Sequence, residues 1–141
     1  MFKTILVPTD ASESAQRALM VAIDLAKEFG SRIVLLHVVY TPEAMGYTLS
    51  IGISVPQEEI SIYGKEPLTA ALSGIDTGNV SIEKKQKPGH PATAILEEIK
   101  SGHFDLVVMG SRGYGAIAGS LLGSISQRVL STAKCPVMIV K

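Results

Sequence analysis

The sequence predicts an α/β fold: an open parallel sheet with helices on both faces. Short apolar runs alternate along the chain with segments whose apolar residues fall at helical spacing, in the order β-α-β-α-β-α-β-α-β. One such run, Ile33 to Val39, is almost continuously β-branched or leucine, as expected of a strand buried on both faces. A third observation points to chemistry. The apolar run Asp105 to Met109 opens directly into Gly110-Ser111-Arg112-Gly113, and nine residues later comes Gly123-Ser124.

Each element has its own signal. Phe2 to Val7 is apolar and ends at Pro8, which predicts the first strand. After Thr9-Asp10-Ala11-Ser12, apolar residues at Ala15, Ala18, Leu19, Ala22, Leu25, Ala26 and Phe29 predict a helix stopped by Gly30. Ile33 to Val39 is the second strand. Asn79 to Gln86 alternates and predicts a third strand at a sheet edge, and Pro91 to Lys100 predicts a short helix. The Asp105–Met109 strand, the glycine loop and a helix from about Leu122 to Thr132 follow, and Pro136 leads into a last strand, Val137 to Val140. Between Thr41 and Lys65 the pattern is less plain. Tyr47, Leu49, Ile51, Ile53, Val55, Ile60 and Tyr63 are too apolar for an ordinary polar loop. Two readings stand: an irregular lid or extended helix start packed on the domain surface, or an apolar surface for a partner or a cover over the ligand.

The 141 residues, 46% of them hydrophobic, fit one compact domain over residues 1–141. Thirteen basic residues balance thirteen acidic ones, so no basic field exists to attract nucleic acid or an anionic membrane. The short Lys84-Lys85-x-Lys87 run reads as a solvated strand end. A single cysteine, Cys135, excludes an internal disulfide and supplies no metal pair. No apolar stretch is long enough to span a bilayer, and the N-terminus enters a strand with no signal-peptide layout. The expectation is a soluble, cytoplasmic protein.

A strand that opens into a glycine-rich loop and then a helix is where α/β proteins hold phosphate. Glycines let the backbone come close, amides point at the anion, and the helix presents its positive end. The loop here lacks the Gly-Lys-Ser/Thr ending of a Walker A motif. It also lacks the third glycine of the dinucleotide fingerprint, which would fall at Ala118. The alternative is a glycine-rich surface turn.

Taken with this loop, Lys3-Thr4-Ile5-Leu6-Val7-Pro8-Thr9-Asp10, Leu35-Leu36-His37-Val38 and Cys135-Pro136-Val137 resemble the universal stress protein family. The similarity runs through nearly the whole chain and is least clear from Thr41 to Lys65. Gly110, Gly113, Gly123 and Ser124 match the version found in the family's ATP-binding branch. The resemblance implies a flavodoxin-like or adenine-nucleotide α-hydrolase-like sheet, strand order 3-2-1-4-5, that binds ATP or AMP, with Mg²⁺ possible alongside ATP.

That order puts the first and fourth strands side by side, with a crevice at their carboxyl ends where the topology switches direction. The expected site draws Pro8, Thr9 and Asp10 from one wall and Met109, Gly110, Arg112 and Gly113 from the other. Gly110 and Gly113 are expected to let amides reach the ribose and α-phosphate. Gly123 and the Ser124 hydroxyl are expected at the outer phosphates, with Ile125 beside them. Ser126 is either a further donor or an ordinary helix residue. Asp10 is expected to accept from a ribose hydroxyl or help position Mg²⁺, or to cap the helix through Asp10-x-x-Glu13. Val38 stands in the family position whose backbone reads the adenine edge; otherwise it is a core valine. Arg112 either pairs with phosphate or points to solvent. His37 is expected to be a satisfied core or near-core residue, and His90 belongs first to a turn.

The loop holds no lysine, and neither a dedicated metal acid nor an obvious base is present for phosphoryl transfer. The Ser-Gly-Gly-x-Asp-Ser loop of related ATP-dependent ligases is also absent after the first strand. The first reading is therefore not an enzyme but a nucleotide-gated stress-response or signalling module. The alternatives are a slow ATPase or nucleotide hydrolase, and a structural dimer with an empty crevice. Val137 to Val140 forms an apolar edge strand, and the resemblance implies that it pairs with its mate in a homodimer.

Overall fold

The computed structural model describes residues 1–40, 67–112 and 122–141. The Thr41–Lys65 segment and Gly113 lie outside the described residues. Strand β1 (Thr4–Pro8) is buried throughout and leads to helix α1 (Glu13–Phe29) and strand β2 (Arg32–Val39). Residues 67–72 are helical (α2). Strand β3 (Ile82–Pro88), helix α3 (Pro91–Ser101), strand β4 (Leu106–Gly110), helix α4 (Ser124–Thr132) and strand β5 (Val137–Val140) complete the order.

The five strands form one parallel sheet in the order β3-β2-β1-β4-β5, as the family resemblance implies. Alternation along each strand sends side chains to opposite faces. Ile5, Val7, Ile33, Leu35, Leu106 and Val108 pack against α1 residues Ala18, Leu19, Ala22 and Ile23, with Leu68 and Ala71 of α2. Leu6, Val34, Leu36, Val107 and Met109 face the other way, onto Ile95 of α3 and Val129 of α4. The central strands are therefore apolar on both sides, which is why they read as unbroken runs. Each fully buried leucine, isoleucine or valine contributes about 1.5–3 kcal/mol.

Local chemistry moves three expectations. The third strand begins at Ile82 rather than Asn79, because a turn occupies the preceding residues. Asp76 accepts from the Gly78 amide at 2.9 Å, Gly78 takes φ 55°, and the Val80 amide donates to the Thr77 carbonyl. Helix α1 is capped by Ser12, whose hydroxyl accepts from the Ala15 amide at 3.4 Å. Asp10 is not the cap; its Oδ1 accepts from the Ser12 amide at 2.9 Å and so shapes the turn into the helix. The Lys84-Lys85-x-Lys87 run is not simply a solvated end. Lys85 Nζ lies 2.7 Å and Lys87 Nζ 3.2 Å from the carboxylate of Glu98, a residue of α3 that is only 3% exposed. Burial pushes the Glu98 carboxyl up, but the two lysines outweigh it and hold it below its usual range.

Candidate functional site

Strand β1 lies between β2 and β4, so its carboxyl end meets theirs on one rim of the sheet. Helix α1 leaves β1 toward one face, while α3 and α4 cover the other. A cavity of about 310 Å³ opens at this switch point. Pro8, Thr9 and Asp10 line it from β1 and its loop, Val38 from β2, Met109, Gly110 and Arg112 from the end of β4, and Ile125 and Ser126 from α4. Two loops about a hundred residues apart in sequence thus meet, as the strand order requires. Gly123 and Ser124 stand at the start of α4 but do not line the cavity, and Ser124 is exposed.

Hydrogen bonds fix the walls. The Thr9 amide donates to the Leu36 carbonyl at 2.8 Å, continuing the β1–β2 ladder past Pro8. The Thr9 carbonyl lies 2.9 Å from His37 Nδ1. A carbonyl can only accept, so Nδ1 carries a proton there, and His37 ties strand β2 to the crevice wall. On the opposite wall Ser126, 4% exposed, donates its hydroxyl to the Gly110 carbonyl at 2.8 Å. This bond anchors α4 to the end of β4, and it occupies the Ser126 proton. The Ser111 carbonyl accepts from the Gly123 amide at 2.7 Å, and the Ser111 amide donates to Val140.

Gly110 is needed for a reason the sequence did not show. A Cβ there would fall 2.7 Å from the Ser14 carbonyl carbon and 2.8 Å from the Ala15 nitrogen. The first turn of α1 therefore crosses the end of β4 at a distance only glycine permits. The Ser14 hydroxyl then donates to the Arg112 carbonyl and accepts from the Arg112 amide at 3.3 Å. Ser14 is 6% exposed, and nothing in the sequence separates it from an ordinary helix serine.

The cavity has two unlike ends. Leu36, Val38, Tyr40, Pro91 and Ile95 make the end beside β2 and α3 apolar. The other end meets the first turn of α4, whose earliest intrahelical bond runs from the Gln127 amide to the Gly123 carbonyl. The amides of Ser124, Ile125 and Ser126 thus have no helical partner, and the helix dipole adds positive potential beside Arg112. Tyr40, Pro91 and Ile95 were absent from the sequence-based site. Pro91 and Ile95 reach it because α3 packs over the rim, and Tyr40 because it follows β2 there; no local pattern announces either.

The universal stress protein family model matches residues 1–141. The chain belongs to the universal stress protein family. Among curated relatives, a universal stress protein of Thermus aquaticus is 35% identical over 152 residues, with all of both chains covered. Universal stress protein MJ0531 of Methanocaldococcus jannaschii is 32% identical over 141 residues, covering 100% of this chain and 83% of the relative. Among solved structures, a universal stress protein in complex with cAMP superposes with a TM-score of 0.68 at 27% identity, covering 99% of this chain and 96% of that one. This universal stress protein carries its cavity at the family sheet's switch point, and among its described residues no group of three His, Cys, Asp or Glu could hold a metal ion. No helix among those residues is long and apolar enough to cross a membrane.

Proposed function

We propose that residues 1–141 act as one adenine-nucleotide-binding domain, with ATP or AMP in the crevice, serving as a nucleotide-gated module of the stress response. The observation that carries this is the cavity's polarity: an apolar end suited to a base, and α4 first-turn amides with Arg112 suited to phosphate. A relative of 27% identity crystallised with cAMP supports the same ligand class.

In this reading Val38 presents its backbone to the base edge, with Met109 and Pro8 beneath it. Thr9 and Asp10 flank the ribose. Arg112, Gly113 and the turn from Gly123 through Ser124, Ile125 and Ser126 receive the phosphates. Asp10 is the one carboxylate among the described lining residues. A single carboxylate does not hold Mg²⁺ alone, so the ion would be shared between Asp10 and the phosphates of ATP, whose charge it would neutralise. No lysine stands among the described lining residues to stabilise charge on a transferring phosphate, which favours binding and signalling over turnover.

The test is the melting temperature with ATP, ADP, AMP and cAMP, with and without Mg²⁺. Ligand at a hundred times its dissociation constant adds about 2.7 kcal/mol. The expected result is a rise with at least one adenine nucleotide and none with the corresponding free phosphate. No rise with any nucleotide would favour a structural dimer.

A further inference from the structure

We propose that Tyr40 is the base-stacking residue of the cavity, so that the aromatic ring of the ligand, and not its sugar-phosphate, is held at the β2–α3 end. The proposal rests on the nucleotide reading above and names the residue that recognises the base. Tyr40 follows β2 directly, and alternation along the strand puts it on the same face as Leu36 and Val38, toward α3. Its backbone is pinned just before it, where the Val39 carbonyl accepts from the Gly89 amide at 2.9 Å.

Tyr40 lines the cavity yet is 47% exposed. A lone exposed aromatic needs no explanation. This one is braced: its ring stands 5.6 Å from that of His90, tilted by 58°. His90 is the N-cap of α3, and Pro91 after it fixes the first helical φ, so the backbone that carries the His90 ring is set by the start of the helix. Pro91 and Ile95 continue the apolar wall from the same helix. A half-exposed ring, held by one neighbour and beside an apolar wall, is arranged to receive another flat ring. Tyrosine gives that contact at little cost in side-chain freedom.

The experiment compares AMP with ribose 5-phosphate on wild type, Tyr40→Ala and Tyr40→Phe, by calorimetry and by the NMR shifts of the Tyr40 ring protons. AMP is expected to move those protons upfield, and ribose 5-phosphate to leave them in place. Tyr40→Ala is expected to weaken AMP about fivefold to a hundredfold while leaving ribose 5-phosphate unchanged, and Tyr40→Phe to retain AMP. Unchanged AMP affinity in Tyr40→Ala, or equal loss of both ligands, would overturn the assignment. A wild type that binds no AMP would overturn the nucleotide reading itself, and this one with it.

Discussion

One hydroxyl holds both backbone polar groups of Arg112: Ser14 Oγ donates to the Arg112 carbonyl and accepts from the Arg112 amide. The arginine at the electropositive end of the cavity is thus fastened to Ser14 of α1, 98 residues earlier in the chain. Ser14 is buried, so its loss leaves unpaired polar groups in a place water reaches poorly. Ser14→Ala is expected to cost about 1–3 kcal/mol in urea unfolding. Its nucleotide affinity should fall as well, because Arg112 loses its anchor. Wild-type stability in the variant would show that the bond is not made in solution.

Gly110 gives a sharper steric case. Gly110→Ala is expected to destabilise by about 1–3 kcal/mol, since the new Cβ meets the first turn of α1. Adding Ser14→Ala should not rescue it, because the Ser14 carbonyl carbon and Ala15 nitrogen stay in the way at 2.7 and 2.8 Å. Rescue by the double variant would mean that only the hydroxyl was in conflict.

Glu98 predicts a pH dependence of stability. Lys85 and Lys87 hold its folded pKa below the ordinary value despite burial. The unfolded chain therefore takes up the proton first as pH falls. The stabilisation is complete above the ordinary carboxylate pKa of about 4.3 and is lost as pH falls through the lowered folded value. The gap in unfolding free energy between wild type and Glu98→Gln should be largest near pH 7 and shrink below about pH 4. Taking the difference removes the parallel effect of Asp105, lowered by the Thr4 and Lys3 amides that donate to it. A gap that does not change with pH would contradict the ion pairing.

The fold was legible because its central strands are buried on both faces and each helix carries one apolar stripe. The edges were less so. The start of β3 depends on the Asp76–Gly78 turn, and the lysines of β3 looked solvated because Glu98 lies on a different element. Of the eleven expected site residues that are described, nine line the cavity, since the ends of β1 and β4 must converge once the strand order is set. Gly110 was assigned to the ligand, whereas its contact with α1 is already sufficient reason for a glycine. Ser14 and Tyr40 carried no local signal, as their roles arise only when α1 crosses β4 and α3 covers the rim.

The edge of the sheet makes a separate prediction. Strand β5 pairs with β4 on one side, and Met138 is 37% exposed. If β5 continues the sheet into a second copy, Met138→Lys or Ile139→Lys should convert a dimer into a monomer in light scattering. A dimer that persists in both variants would place the interface elsewhere.

The most direct test of nucleotide binding at the switch point is calorimetric titration of ATP and AMP into wild type and Val38→Trp. Val38 lines the cavity and is only partly buried, so a larger ring there takes up space at the β2 end of the cavity. The expected result is saturable binding by the wild type, abolished in Val38→Trp with the fold intact by circular dichroism. Equal binding by both proteins would show that nucleotide is held elsewhere, and no binding by either would show that the cavity is not a nucleotide site.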